Sequence, residues 1–160
     1  MAKRMLVLAL LVFSGCSTYS AHRATARSPY VLPIGAGKDA VISGLLRELA
    51  AKNLQVAAAD RASGVITVPT IALQPGYFDC DYVLVDGQPS YLITRAQGTL
   101  QFIVDGDARA SSVRATMQLG LITTVNRNGI QRVGREVCYS TQSLEDELVL
   151  PVKRQLEKTP

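Results

Sequence analysis

The 160-residue chain lacks tryptophan and contains one histidine, three cysteines and three phenylalanines. A single histidine argues against a histidine-rich metal site and against a catalytic triad built on a core histidine. Three cysteines are too few for a small disulfide-rich fold. Hydrophobic residues make up 48% of the chain and charged residues 19%, which is a globular balance and not that of a disordered protein. The length indicates one domain.

The first fifteen residues have the order of a secretory signal peptide. Lys3 and Arg4 supply positive charge, Met5 to Phe13 form an unbroken apolar run, and small residues follow. A spanning helix needs about 20 apolar residues, so this run is too short to anchor the protein by itself. The alternative is a buried N-terminal helix, which the basic pair and the abrupt polar switch at Cys16 disfavour.

The end of this segment, Phe13-Ser14-Gly15-Cys16, resembles the lipobox of bacterial lipoproteins. The resemblance implies cleavage before Cys16, a diacylglycerol on its thiol and an acyl group such as palmitate on its new amino group. Two or three acyl chains form a stable anchor, whereas one is marginal. Phe13 replaces the usual leucine, which implies less efficient processing. Ser17 resembles an outer-membrane sorting signal, so we expect a lipid-anchored protein of the cell envelope, in the outer membrane and facing the periplasm.

Processing divides the chain and lowers its charge. We predict a signal peptide over 1–15, a lipidated N-terminus and flexible tether over 16–29, and a single domain over 30–160. The mature chain has 15 basic and 13 acidic residues, so nucleic-acid binding loses its compositional support. Ser17 to Ser28 are polar and small, and fully extended they would reach roughly 40 Å. His22 lies in this tether and is expected to be solvated.

The first half of the domain has a helical pattern followed by a hairpin pattern. Apolar residues recur on one helical face from Asp39 to Lys52. Asp39 suits the N-cap or the first turn, and Asn53 suits the helix end. Leu54 to Val68 predict a β-hairpin. The stretch from Asp39 to Val68 resembles a unit of small lipoproteins attached to envelope assembly machines, but it has no specific motif and assigns no family.

The second half is dominated by strand patterns. Thr99 to Val104 and Val113 to Leu119 alternate apolar and polar residues around a turn. Ser143 is positioned to cap a final helix, which Pro151 either kinks or ends early. We therefore predict an α+β fold, with an antiparallel β-sheet and an N-terminal and a C-terminal helix packed on one face.

Cys80 and Cys138 are the two thiols that remain if Cys16 is lipidated. An even number in an exported chain favours a disulfide, with two isolated buried thiols as the alternative. The Cα atoms of a bridged pair should lie within about 4.4–6.8 Å. Neither cysteine belongs to a C-x-x-C pair or has a histidine nearby in the sequence, so a redox role is disfavoured.

Two groups of charged residues are candidate sites. Asp79 and Asp81 flank a cysteine without the spacing of a calcium loop, so they are expected to solvate a loop. Arg114, Arg132 and Arg135 lie in the last hairpin and are candidate contacts for an anionic lipid, lipopolysaccharide or an acidic partner. The alternative is a solvated strand face with edge protection. No metal site and no cofactor is predicted.

These observations favour a non-catalytic interaction or assembly module, held at the membrane by its N-terminal lipid. Its expected partner is an envelope protein of unknown identity. We do not expect a nucleic-acid partner. A small-ligand-binding periplasmic lipoprotein and an envelope hydrolase are the alternatives. An exposed apolar patch or unpaired strand edge would favour the first function. A deep pocket with converging polar groups would favour ligand binding, and a close acid–acid or serine–base pair in a cleft would favour the hydrolase.

Overall fold

A computed structural model describes residues 18–126, 128–134 and 137–158. Its strands are β1 (Tyr19–His22), β2 (Tyr30–Ile34), β3 (Ala58–Asp60), β4 (Val65–Leu73), β5 (Phe78–Cys80), β6 (Tyr82–Val85), β7 (Gln88–Pro89), β8 (Tyr91–Gly106), β9 (Ser111–Asn126), β10 (Gln131–Gly134) and β11 (Cys138–Ser140). Its helices are α1 (Lys38–Ala51) and α2 (Ser143–Leu156). Antiparallel strands and two helices confirm the predicted α+β class.

The main sheet has six strands in the order β10-β9-β8-β4-β3, with β2 also paired to β9. The strands β8 and β9, of 16 residues each, form a hairpin about 50 Å long, because each strand residue adds about 3.3 Å. Both strands run well beyond the stretches predicted from alternation. The described residues also form two smaller antiparallel sheets, β1-β6-β7 and β5-β11.

The two helices pack against each other, with α1 also contacting β8 and α2 contacting β2. The predicted apolar face of α1 is confirmed at Leu45 and Leu49, which are fully buried, whereas Leu46 is half-buried. The helices approach closely at Gly44, where an added β-carbon would lie 2.6 Å from Val152 Cγ1. The core therefore lies between the helix pair and the inner face of the main sheet.

The helix ends differ in part from the sequence expectations. In α1, Asp39 lies in the first turn and Asn53 adopts a left-handed conformation at the C-terminal end. In α2, Gln142 occupies the N-cap position and Ser143 is already helical, so the predicted Ser143 cap is wrong. Pro151 does not end the helix early, since α2 runs through it to Leu156.

A register shift reverses the buried side of β9 along its length. Val113 and Ala115 are buried near its start, whereas Ile122 and Thr124 are buried near its end. The shift lies opposite Ala96 and Gly98 of β8, where β9 has one extra residue. An extra residue in a strand exchanges its two faces. Simple alternation therefore does not assign the inner side along the whole strand.

The predicted tether is wrong at residues 19–22, which form β1 and pair with β6. Tyr19 lies opposite Val85, and His22 lies opposite Tyr82. Four residues are too few to produce a recognisable strand period, and their partner strand is about 60 residues away in the sequence. Cys16 and the proposed signal peptide lie outside the described residues.

Candidate functional site

The disulfide predicted between Cys80 and Cys138 is present. Cys80 ends β5 and lies directly opposite Cys138, the first residue of β11. The Cα atoms are 3.9 Å apart, so the predicted window of about 4.4–6.8 Å is wrong for this bridge; the distance is also shorter than the roughly 4.5–5.5 Å between opposed residues of an antiparallel pair. The bridge therefore joins the middle of the chain to the segment that leads into α2.

Asp79 and Asp81, on either side of the bridged Cys80, bind the N-terminal segment. His22 Nε2 lies 3.0 Å from Asp79 Oδ1, and the His22 ring stacks on Tyr82 with centroids 4.4 Å apart. Arg23 Nη1 donates to Asp81 Oδ2 at 2.8 Å. The expectation that these aspartates only solvate a loop is wrong, and His22, although still partly exposed, is paired and stacked instead of fully solvated. Successive residues of an extended chain project to opposite sides, so Cys80 and the two neighbouring carboxylates serve different contacts.

Asp81 is the most heavily used of these carboxylates. Its Oδ1 also accepts a hydrogen bond from the Ala24 backbone N–H at 2.7 Å, and its own carbonyl accepts one from the Tyr91 hydroxyl. The side-chain hydrogen bond from Arg23 and the backbone hydrogen bond from Ala24 hold the pKa of Asp81 below its usual value. The ionised form of Asp81 is therefore the one that holds the N-terminal segment.

The docked segment brings the proposed lipidation site close to the domain. The Thr18 backbone N–H donates to Asp86 Oδ1 at 2.8 Å, and the Asp86 N–H donates to the Thr18 carbonyl at 2.9 Å. Only Ser17 separates this contact from Cys16. Two extended residues span about 7 Å. If Cys16 is lipidated, the reach of the predicted tether falls from roughly 40 Å to about this length.

An aromatic groove opens beside the disulfide and the docked segment. It has a volume of about 350 Å³. Its lining includes three aromatic side chains, Phe78, Tyr82 and Tyr91. Pro75, Pro89 and Leu92 also line it. Leu92 is 69% exposed. Aromatic side chains with little conformational entropy to lose are typical anchors of protein interfaces. We call these residues the aromatic groove.

A second cavity, of about 260 Å³, lies between β9, β11 and the start of α2. Tyr30 and Glu145 line it, and Glu145 is only 1% exposed. The Tyr30 hydroxyl and Glu145 Oε2 are buried without a hydrogen-bond partner among the described residues. Burial raises the pKa of Tyr30, and so does the Asp146 carboxylate, which lies near the hydroxyl without meeting the geometry of a hydrogen bond to it, so the phenol stays protonated. We call this the Glu145 cavity.

Ser140 and Glu145 form a serine–acid contact in this cavity, and helix capping explains it. The Ser140 hydroxyl donates to Glu145 Oε1 at 2.7 Å and accepts the backbone N–H of Gln142 at 2.9 Å. A glutamate in the first helical turn commonly serves the N-cap N–H directly. Here the hydroxyl of Ser140 lies between the Glu145 carboxylate and the Gln142 N–H. The Ser140–Glu145 contact therefore supports the N-terminal end of α2.

Of the candidate arginines, Arg114 and Arg132 lie far apart along the main sheet. Arg114 is exposed, with Nη2 3.8 Å from Asp105 Oδ2. The backbone of Arg132 pairs with Thr124, which lies ten residues from Arg114 along β9, or about 33 Å away. Arg135 lies outside the described residues. A contact between Arg114 and an anionic partner stays a prediction.

Within the described ranges, no group of three or more histidine, cysteine, aspartate or glutamate side chains is arranged to hold a metal ion. Neither α1 nor α2, the helices of that part of the chain, has the length and hydropathy that crossing a bilayer requires. In comparisons with known proteins, no family model and no curated sequence matches the chain.

The docked N-terminal segment is one feature that the sequence prediction missed. Two weak signals point to it: Tyr19 and Ala21 alternate with polar neighbours, and Asp79 and Asp81 are spaced for one side of an extended chain. Neither signal identifies its partner, because the contacts join residues 57 or 58 positions apart.

Proposed function

We propose that this protein is a membrane-anchored lipoprotein of the cell envelope that acts as a non-catalytic interaction module. The aromatic groove is the observation that carries the interaction part of the proposal. It combines an open apolar surface with rigid aromatic side chains, which are enriched at protein interfaces, and it has the exposed Leu92 at its edge. The lipobox-like residues before Cys16 support the anchor, and serine at position 17 supports the outer membrane, facing the periplasm.

The aromatic groove is held in place by the disulfide and by the docked N-terminal segment. Cys80 lies in its wall and links it to β11 through the disulfide. Tyr82 lies in the groove and also stacks on His22 of the docked segment. A groove held by a disulfide and by the N-terminal segment loses little freedom when a partner binds, and this preorganisation favours affinity.

Photocrosslinking in cells tests the interaction. We would place a photoreactive phenylalanine analogue at Leu92 and, as a matched control, at Leu150, an exposed leucine on α2. We expect one envelope protein to be captured reproducibly from Leu92 and not from Leu150. Leu92→Asp should then weaken binding of that purified protein by at least about tenfold, as expected for an apolar hot spot. Equal capture from both positions, or undiminished binding by Leu92→Asp, would contradict the proposal.

Small-ligand binding is the second candidate function, and the Glu145 cavity favours it. The cavity lies between a helix and the sheet, and two of its residues hold buried polar atoms that have no partners among the described residues. A primary ammonium group would donate hydrogen bonds to both oxygens, whereas a hydroxyl group donates only one. The walls formed by Ala115 and Met117 suit an apolar stem.

Calorimetric titration with n-butylamine tests this candidate. We expect Glu145→Gln and Tyr30→Phe each to weaken binding by at least about tenfold, because a buried acceptor is removed. Glu157→Gln, at an exposed position near the end of α2, is the control and should leave binding unchanged. Absence of binding to the unaltered protein would eliminate a small amine as the ligand.

A further inference from the structure

The β1-β6 pair has one apolar side that no described element covers completely. In the antiparallel register Tyr19 lies opposite Val85, and Ala21 lies opposite Val83. Directly opposed residues share a face, and every second residue of a strand shares it as well. These four residues therefore form one side of the pair, which we call the outer face. Tyr82 lies on the other side, where it stacks on His22.

The outer face is strongly exposed for its composition. Tyr19 is 73% exposed and Val83 is 46% exposed. Ala21 is also exposed, and Val85 is half-buried. No charged residue belongs to the face. Exposed apolar side chains that share one face mark a contact surface more often than scattered ones do.

The outer face lies close in the chain to the proposed lipidation site. Cys16 precedes Thr18 by two residues, and Thr18 is held to Asp86 by backbone and side-chain hydrogen bonds. A lipid on Cys16 would therefore start within about 10 Å of Tyr19, since each extended residue spans about 3.3–3.6 Å. A surface so close to an acyl anchor has the bilayer as its nearest neighbour.

We propose that the outer face lies against the lipid headgroups, so that the domain is held on the membrane surface in one orientation. The proposal rests on the lipid anchor of the proposed function. Tyrosine is enriched at membrane interfaces because its ring is apolar and its hydroxyl is polar. Valine and alanine side chains add apolar area at the depth of the headgroups.

The outer face is small, but it is large enough to orient the domain on the membrane if the lipid anchor is covalently attached to the same chain. A patch of four side chains would not hold a free protein on a bilayer. Once Cys16 carries its lipid, the contact becomes intramolecular, and its effective concentration is high for a connection of two or three residues. Docking of residues 18–24 on the carboxylates of Asp79, Asp81 and Asp86 keeps this connection short.

The absence of tryptophan from the chain makes a direct test possible. We would prepare the full-length lipidated protein with a single tryptophan, as Tyr19→Trp or Val83→Trp. The control is Arg109→Trp, an exposed position in the turn between β8 and β9. That turn lies about 50 Å along the hairpin from Tyr91, whose hydroxyl is bonded to Asp81 beside β6. Each protein is reconstituted into vesicles of phosphatidylethanolamine and phosphatidylglycerol that contain brominated acyl chains.

We expect bromine to quench the fluorescence of Tyr19→Trp and Val83→Trp at least about threefold more than that of Arg109→Trp, as shallow insertion requires. Their emission should also shift to shorter wavelength in vesicles. Equal quenching at all three positions, in protein that floats with the vesicles, would overturn the membrane contact and leave the anchor intact. Lipidation-competent protein that does not float would overturn the anchor, and the membrane contact with it.

A charged substitution gives an independent measurement. Val83→Asp at this exposed position should lower the quenching of Tyr19→Trp to the level of Arg109→Trp, because a charge resists burial in the headgroup region. Flotation should persist, since the acyl chains still anchor the protein. Unchanged quenching in Tyr19→Trp combined with Val83→Asp would contradict the outer face as the contact surface.

Discussion

At the scale of the residue, single polar groups with several partners decide how the N-terminal segment lies. Asp81 binds Arg23 and the Ala24 N–H through its carboxylate. The carboxylate of Asp79 contacts the His22 ring. These groups are solvent-accessible, so each contact is individually modest. Their joint effect is to order a segment whose composition alone predicts a flexible chain.

Acidification is expected to release the contacts of Asp81. Its pKa in the folded protein is lowered from 3.8, so the stabilising charge is present above the ordinary value and is lost as the pH falls through the lowered one. The Ala24 amide proton, bonded to Asp81 Oδ1, should report this in an NMR titration with a midpoint below 3.8. A midpoint at or above that value would contradict the assignment.

Removing the charge of Asp81 should loosen the segment at neutral pH. We expect Asp81→Asn to increase tryptic cleavage after Arg23 several-fold, because the residue loses its ion pair and its ordered backbone. Asp107→Asn is the matched control. The pKa of Asp107 is also lowered, but by hydrogen bonds from backbone N–H groups of its own turn, with that of Arg109 as the largest cause. Equal acceleration by both substitutions would indicate a global effect.

A close approach of the two helices depends on one missing side chain. Gly44→Ala would place a β-carbon 2.6 Å from Val152 Cγ1, so we expect a loss of about 1–3 kcal/mol in the free energy of unfolding. Helix propensity alone would predict a gain of up to about 1 kcal/mol. Chemical denaturation measures the sign. Combining the change with Val152→Ala should cost less than the sum of the single variants, and strict additivity would contradict the contact.

At the scale of the element, the β5-β11 pair connects parts of the chain that the main sheet does not join. The disulfide is one connection, and the hydrogen bond that the Thr141 backbone N–H donates to the Tyr77 carbonyl is another. A third is the Tyr77 hydroxyl, which donates to Glu147 of α2 at 2.6 Å. The segment between β4 and β8 therefore depends on β11 and α2 for its position.

Removal of the disulfide should loosen this segment selectively. The double variant Cys80→Ala, Cys138→Ala is expected to lower the free energy of unfolding by about 2–5 kcal/mol, because a 58-residue separation is no longer constrained in the unfolded chain. Hydrogen exchange should accelerate from Pro75 to Thr94 and change little in the centre of the β8-β9 hairpin. Unchanged exchange in the former segment would contradict its dependence on the bridge.

At the scale of the whole molecule, the long hairpin separates two ends with different surroundings. The start of β8 lies beside the docked N-terminal segment and the aromatic groove. The turn between β8 and β9 lies about 50 Å along the hairpin, where Lys38 at the start of α1 donates its N–H to the Asp107 carbonyl. A lipid on Cys16 would place the first end at the membrane.

Loss of the lipidation site should release the whole protein. We expect Cys16→Ser either to leave the membrane fraction or to accumulate as an uncleaved precursor, because the acyl chains are the proposed anchor. The Cys80→Ala, Cys138→Ala variant is the control and should stay membrane-bound. Fractionation with a carbonate wash measures both. A processed Cys16→Ser protein that remains in the membrane would contradict lipidation.

The sequence by itself determined the local elements. Helical spacing predicted the apolar face of α1, alternation predicted the middle of the β8-β9 hairpin, and an even count of thiols predicted the disulfide. Tertiary structure alone decided the docking of residues 19–22, the exchange of faces along β9 and the aromatic groove. The physical reason is range: periodicity reports neighbours within a few residues, whereas these features depend on distant partners or on one extra residue in a register.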